Sequence, residues 1–211
     1  MAKLGIVLTG SAYGKKIGNN QFDRDWNLSK ENLKTNLIDS FKETDSTSVF
    51  LTTYECEKLE DIFQFYNPKK ALVLSYEGSH QRTTLIMSMR SLLDEDLDFI
   101  ISTRFDISFN DKLSNYNFDR NKMNFLFRDG EPHWTNTRFV GDCLHAFPKK
   151  YLESFIQAIE IEHMTNGWFM HGLYNQMANS IGEDNINFVF DGNHSSHENC
   201  FYQLIRANIT E

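Results

Sequence analysis

Asp98-Phe99-Ile100-Ile101-Ser102-Thr103-Arg104-Phe105-Asp106-Ile107-Ser108-Phe109 is the stretch on which the reading of this chain turns. An apolar run enters a charged tripeptide and then returns to alternating apolar and polar residues. That is the pattern of a buried strand that reaches the edge of a sheet and continues past it. If the backbone stays extended there, Arg104 and Asp106 are two residues apart and point to the same side. A carboxylate in that position can bind a hard divalent cation, and Mg²⁺ or Mn²⁺ takes a few carboxylate oxygens together with those of a substrate diphosphate. Taken alone, Arg-x-Asp reads as a surface ion pair at a strand end, so the surroundings decide.

Upstream, Leu4 to Thr9 is a β-rich run ending in Gly10, Ser11 and Gly14, a buried strand feeding a flexible loop. Leu33, Leu37, Ile38 and Phe41 share a helical face, with Ser29 available as N-cap. Ser48 to Tyr54 is a second strand, and Leu59, Ile62, Phe63 and Tyr66 mark a helix stopped at Asn67-Pro68. Ala71 to Tyr76 is a third strand. Leu85, Ile86, Met89, Leu92 and Leu93 define a helix closed by the acidic run Asp94 to Asp98. With Phe99 to Thr103 as the fourth strand, the alternation is that of a mostly parallel sheet covered on both faces, whose ligands sit beyond the carboxyl ends of its strands.

Downstream the pattern is less regular. Asn124 to Arg128 and Arg138 to Phe147 read as strands, and Pro148 begins a helix that buries Leu152, Phe155, Ile156 and Ile159. Met170, Leu173, Tyr174 and Met177 give another helix, followed by a short strand, Asn187 to Phe190, and a polar loop, Asp191 to Asn199. With no repeat or Pro/Ser linker, the expectation is one α/β domain over residues 1–211 with a central mixed, mostly parallel sheet flanked by helices. By that alternation residues 1–110 are its regular half and 111–211 its less regular half.

Lys plus Arg total 21 against 29 Asp plus Glu, a formal net charge of −8. That deficit argues against a sequence-independent grip on DNA or RNA, which needs a basic face to displace counterions. Free nucleotides remain allowed, since a local cluster or a metal can hold a diphosphate. The longest apolar runs, such as Ala71 to Leu74, fall far short of the roughly 20 residues that cross a bilayer. The start of the chain reads as a core strand rather than a signal peptide. Three cysteines at irregular spacing, Cys56, Cys143 and Cys200, point to a reducing compartment, so a cytoplasmic protein is expected.

A strand followed by Asp-x-Asp and a β-like continuation is the signature of the GT-A class of nucleotide-sugar glycosyltransferases, and Arg104-Phe105-Asp106 resembles it with arginine in place of the first aspartate. Within that class the chain is similar to the N-terminal glycosyltransferase domains of chlorella-virus proteins that build capsid glycans. The resemblance implies a GT-A-like fold and transfer of a hexose or deoxyhexose from a UDP-sugar to a glycan hydroxyl, assisted by Mn²⁺ or Mg²⁺ and with retention. It also implies a nucleotide-binding half over residues 1–110 and a sugar- and acceptor-binding half over 111–211, a capsid-protein glycan as acceptor, the host cytoplasm as location, and further domains in a longer chain. Asp106 would be the metal-binding member of the motif. Thr9, Gly10, Ser11, Thr52, Thr53 and Tyr54 would hold the nucleobase and ribose, and a C-terminal histidine, His194 before His197, would return to the metal.

Other residues carry chemistry by type and place. Tyr54 could stack on uracil or simply close its strand. Arg82, at a helix start near the strand edge, could reach a phosphate or the sugar, as helix starts favour anions, or lie on the surface. Arg104 would add charge to the diphosphate or hold Asp106. Asp142, beside Gly141, could deprotonate an acceptor hydroxyl, or hold donor hydroxyls if configuration is retained. Trp134 offers an indole face for a sugar ring. Gly10 to Lys16 is not a P-loop, because three residues separate its glycines and Lys16 stands where Ser or Thr belongs. Lys15, Lys16 and Arg24 could approach phosphate from that loop, with solvated lysines as the default. His194-x2-His197-x2-Cys200 permits part of a zinc site completed by His171. A sugar nucleotidylyltransferase, or a non-catalytic carbohydrate-binding module, is the competing reading.

Overall fold

The computed structural model describes residues 1–14, 24–75, 81–129, 138–165, 172–195 and 199–205. Strand β1 (Ala2–Thr9) is followed by a small hairpin of β2 (Tyr13–Gly14) and β3 (Arg24–Asp25). Helix α1 (Lys30–Asn32) widens into a π-helix over Leu33–Ile38 and tightens into a 3-10 turn at Asp39–Phe41. Leu33, Leu37, Ile38 and Phe41 are all buried, as the spacing requires. Ser29 does not cap this helix. It leaves a 3-10 turn in right-handed helical geometry instead of the extended geometry a cap needs, and its hydroxyl donates to the carbonyl of Phe105.

Strand β4 (Asp45–Tyr54) leads to α2 (Leu59–Tyr66), which Asn67 ends in a left-handed conformation ahead of Pro68. Then come β5 (Lys70–Leu74), α3 (Gln81–Arg90), β6 (Phe99–Arg104) and β7 (Ile107–Phe109). Helix α3 ends before Leu92 and Leu93, which lie in the turn that follows. The second half contains β8 (Met123–Phe125), β9 (Arg128–Asp129), β10 (Leu144–Pro148), α4 (Leu152–Thr165) and α5 (Leu173–Ile181). It closes with β11 (Ile186–Phe188), β12 (Asn193–His194) and β13 (Tyr202–Leu204). The expected strand from Arg138 shrinks to β10 plus a single bridge at Val140, since the chain enters through Arg138 at φ +50 and bends at Asp142–Cys143. Pro148 ends that strand in extended geometry, and the helix begins after a 3-10 turn at Lys149–Tyr151.

Seven strands form the central sheet in the order β11-β8-β10-β6-β1-β4-β5. β5, β4, β1 and β6 run parallel, and β10 is antiparallel to both β6 and β8, so the sheet is mixed and mostly parallel. Along β1, Leu4, Ile6 and Leu8 face the π-helix and α2, while Val7 faces α3 and α4. Burial on both faces explains why the parallel strands read as continuous apolar runs. Phenylalanines dominate both layers, with Phe99, Phe105 and Phe109 on one side and Phe50, Phe125, Phe147 and Phe155 on the other. Each fully buried ring contributes about 2–3 kcal/mol. Among the described residues no helix is long and apolar enough to cross a membrane.

Candidate functional site

From β1 the chain moves outward through β4 to β5, then returns to the opposite side of β1 as β6. Strand order therefore reverses beside β1, and the crevice at such a switch, outside the carboxyl ends of the strands, is where open α/β sheets bind ligands. Thr9 and Arg104 are register partners there. The Thr9 and Thr53 hydroxyls are buried without a hydrogen-bond partner among the described residues. Leaving such a group unmade costs about 1–3 kcal/mol. Gly10, at φ +108, donates its amide to the Thr52 carbonyl at 3.0 Å and faces open space, a turn that a side chain would strain. Ser11, beside it, is half-buried.

The charged tripeptide sits at this edge. Phe105 turns into the core at 1% exposure, which places Arg104 and Asp106 together on the other side. Arg104 grips Asp106 with two parallel bonds, Nε to Oδ1 at 2.7 Å and Nη2 to Oδ2 at 2.6 Å. A second guanidinium reaches the same carboxylate, Arg24 Nε standing 3.2 Å from Oδ2. The side chains of Arg24, Arg104 and Asp106 are 17%, 22% and 10% exposed, so the cluster is largely withdrawn from water. Burial works against the charged form of Arg104, but Asp106, Cys143 and Asp142 outweigh it and hold the guanidinium charged well above its ordinary range.

Arg24 reaches this point because the hairpin is pinned: the Trp26 amide donates to the Ala12 carbonyl at 2.8 Å, and the indole is 3% exposed. The bond from Ser29 to Phe105 ties the same segment to the turn between Arg104 and Asp106. Sequence reasoning named Arg24 with Lys15 and Lys16 as able to approach phosphate, but not its contact with Asp106, and read Ser29 as a helix cap rather than as a tie to Phe105. The signal was Trp26, an isolated large apolar residue after a polar loop, which marks where that loop is tied down.

Asp142 adjoins the cluster. It accepts the Cys143 thiol at 3.4 Å, and burial pushes that thiol well above its usual range, with Asp142 adding to the effect. Gly141 serves packing rather than ligand approach, since a Cβ there would stand 3.0 Å from the Phe127 ring. Phe127 also contacts Tyr202 and the ring of His194, whose Nε2 lies 3.0 Å from the Asp191 carbonyl. Strand β13 pairs with β7, and Ile205 donates to the Asp106 carbonyl, so the C-terminal segment closes against the motif.

Tyr54 closes β4 from inside: it is 6% exposed, shares a hydrogen bond with Thr84 and offers little ring surface to a base. Arg82 is 5% exposed and points between α3 and α4, where burial lowers its pKa and Glu162 raises it. Lys15, Lys16, Trp134, His171 and His197 lie outside the described residues. The residues expected to hold a divalent cation do not fit one. Both Asp106 oxygens face guanidinium groups, His194 Nε2 rests on a carbonyl, and among the described residues no three His, Cys, Asp or Glu side chains converge.

No family model matches the chain, and no curated protein is similar to it. Its fold is similar to that of a nucleoside-diphosphate-sugar pyrophosphorylase from Vibrio cholerae RC9, with a TM-score of 0.52 and 15% identity over 88% of this chain and 90% of that one. At that identity the likeness shows the fold alone, an α/β domain of the kind used by a nucleotide-sugar enzyme. The expected viral source and capsid acceptor find no support in it.

Proposed function

We propose that this chain is a nucleotide-sugar-dependent transferase whose substrate lays its diphosphate across the carboxyl edge of β1 and β6, with the nucleoside toward β4. The observation that carries this reading is the placement of Arg104 and Arg24 around Asp106 at the point where strand order reverses. Planar guanidinium groups match pairs of phosphate oxygens, and a largely dehydrated site strengthens them. The hydroxyls of Thr9 and Thr53, without partners among the described residues, suit a ribose or base.

The reaction we assign is glycosyl transfer from a UDP-sugar to a glycan hydroxyl. The bond from the anomeric carbon to the diphosphate oxygen breaks with negative charge gathering on the departing phosphate, a bond to the acceptor oxygen forms, and the acceptor's proton passes to that phosphate oxygen. Fixed positive groups aimed at that oxygen stabilise it as the charge develops. Asp142, next to the arginine pair, is assigned to the sugar's hydroxyls, and Trp134 to a sugar ring.

The second reading, nucleotidylyl transfer, is favoured by the solved neighbour. There a sugar phosphate oxygen would attack the α-phosphorus of a nucleoside triphosphate and release pyrophosphate. Cradling a triphosphate calls for free backbone amides in the loop after β1. Here the Gly10 amide is taken by Thr52 and Tyr13–Gly14 pairs with Arg24–Asp25, while Lys15 to Asp23 of that loop lie outside the described residues.

Two assays in parallel separate them: UDP release from a panel of UDP-sugars with oligosaccharide acceptors, and pyrophosphate release from UTP with sugar 1-phosphates. UDP without pyrophosphate is the expected result. Pyrophosphate alone would establish the second reading. Absence of both products, together with no nucleotide binding, would remove the nucleotide-sugar assignment.

A further inference from the structure

In the resemblance, Asp106 is the metal ligand; in the structure it is the shared counter-ion of two arginines. Arg104 uses Nε and Nη2 on the two carboxylate oxygens, and Arg24 Nε approaches one of the same oxygens at 3.2 Å. Two guanidinium groups this withdrawn from water do not sit side by side without an anion between them. One carboxylate, Asp106, is shared between them, and Asp142 acts on Arg104 from beside it. A diphosphate carries more charge and more oxygens in the same fork geometry, so it is the better anion for this position. A divalent cation faces the opposite situation. To reach Asp106 it must displace a guanidinium from an oxygen and remain beside two fixed positive charges, one of which, Arg104, is held charged well above its ordinary range.

We infer that Arg104 and Arg24 supply the positive charge that a divalent cation would otherwise set against the substrate's diphosphate, and that Asp106 is a positioning residue holding the two guanidinium groups together until the diphosphate takes its place. This rests on the reading of the edge as a nucleotide-sugar site. It also accounts for the arginine at position 104, where the Asp-x-Asp pattern has a carboxylate: the substitution replaces half of a metal site with a fixed cation.

The test is UDP binding by calorimetry to the full chain, in EDTA and in Mn²⁺ or Mg²⁺, with uridine as a probe lacking the diphosphate. UDP affinity is expected to agree within about twofold with and without metal. Arg104→Gln and Arg24→Gln should each weaken UDP about tenfold or more in EDTA while leaving uridine unchanged, as loss of one charge-assisted contact requires. The wild-type comparison needs no variant, and Arg24→Gln carries the residue-level test should Arg104→Gln fail to fold. UDP binding that appears only with metal overturns this inference and leaves the nucleotide-sugar reading standing. So does wild-type UDP affinity in both variants. No UDP binding in any condition overturns the nucleotide-sugar reading and this inference with it.

Discussion

Replacing Asp106 with asparagine removes the one negative charge that lies between Arg104 and Arg24 while keeping the size of the side chain. Breaking a fully buried ion pair from one side costs about 3–5 kcal/mol, because the partner charge is left uncompensated. Here the three side chains keep 10%, 22% and 17% exposure, so water recovers part of that loss. The expected cost is about 2–3 kcal/mol, and for a domain of this size each kcal/mol moves Tm by about 2–4 °C, giving a fall of about 4–12 °C. Differential scanning calorimetry measures it, and a urea titration with unchanged slope confirms that the loss lies in stability. Asp106→Asn should cost at least about 1 kcal/mol less in an Arg104→Gln background than alone, since the charge it neutralises is then gone. Saturating UDP in EDTA should recover more of the lost Tm in Asp106→Asn than it adds to the wild type, because the diphosphate replaces the missing anion. A Tm change within about 2 °C, or strict additivity with Arg104→Gln, would refute the reasoning.

Other consequences are local. The Tyr66 hydroxyl is buried without a partner among the described residues, so Tyr66→Phe should stabilise the protein by about 1 kcal/mol in urea unfolding. Ser29→Ala removes the bond to the Phe105 carbonyl; it should cost about 1 kcal/mol and speed hydrogen exchange in the segment that follows Arg104. Burial, with Asp111 and Cys200 adding, pushes the Tyr116 phenol up to about 12. The native state then keeps a proton that the unfolded chain, titrating near its ordinary pKa of about 10, releases. The resulting stability is full below pH 10 or so and is lost as pH rises toward the folded value, and Tyr116→Phe should flatten that part of the alkaline unfolding curve.

The parallel half was legible because its physics is local. Strands buried on both faces must be apolar throughout, and helices over them must keep one apolar face, so Leu4 to Leu8, Leu33 to Phe41 and Phe99 to Ile101 announced themselves. Arg104 and Asp106 were readable for the same reason: a strand that ends in polar residues marks the sheet edge. Arg24 was readable only as one of three basic residues able to approach phosphate; its contact with Asp106 was not, because it depends on a hairpin of two residues per strand, folded back by Trp26, with no periodic pattern of its own. Tyr54 and Arg82 show the converse limit. Their position along the chain was read correctly, but which way each points was set by Thr84 and Glu162 on other elements. Gly141 misled for a similar reason, since the contact that requires glycine comes from Phe127 across the ladder.

Placement of a nucleoside diphosphate at the switch beside β1 is tested most directly by titrating the isotope-labelled chain with UDP in EDTA and following its backbone amides by NMR. The largest perturbations are expected at Thr9 to Ser11, Thr52 to Thr53 and Arg104 to Asp106. Perturbations confined to the opposite, amino ends of the strands, such as Lys3, Asp45 and Asp98, or none at saturating UDP with or without Mn²⁺, would contradict it.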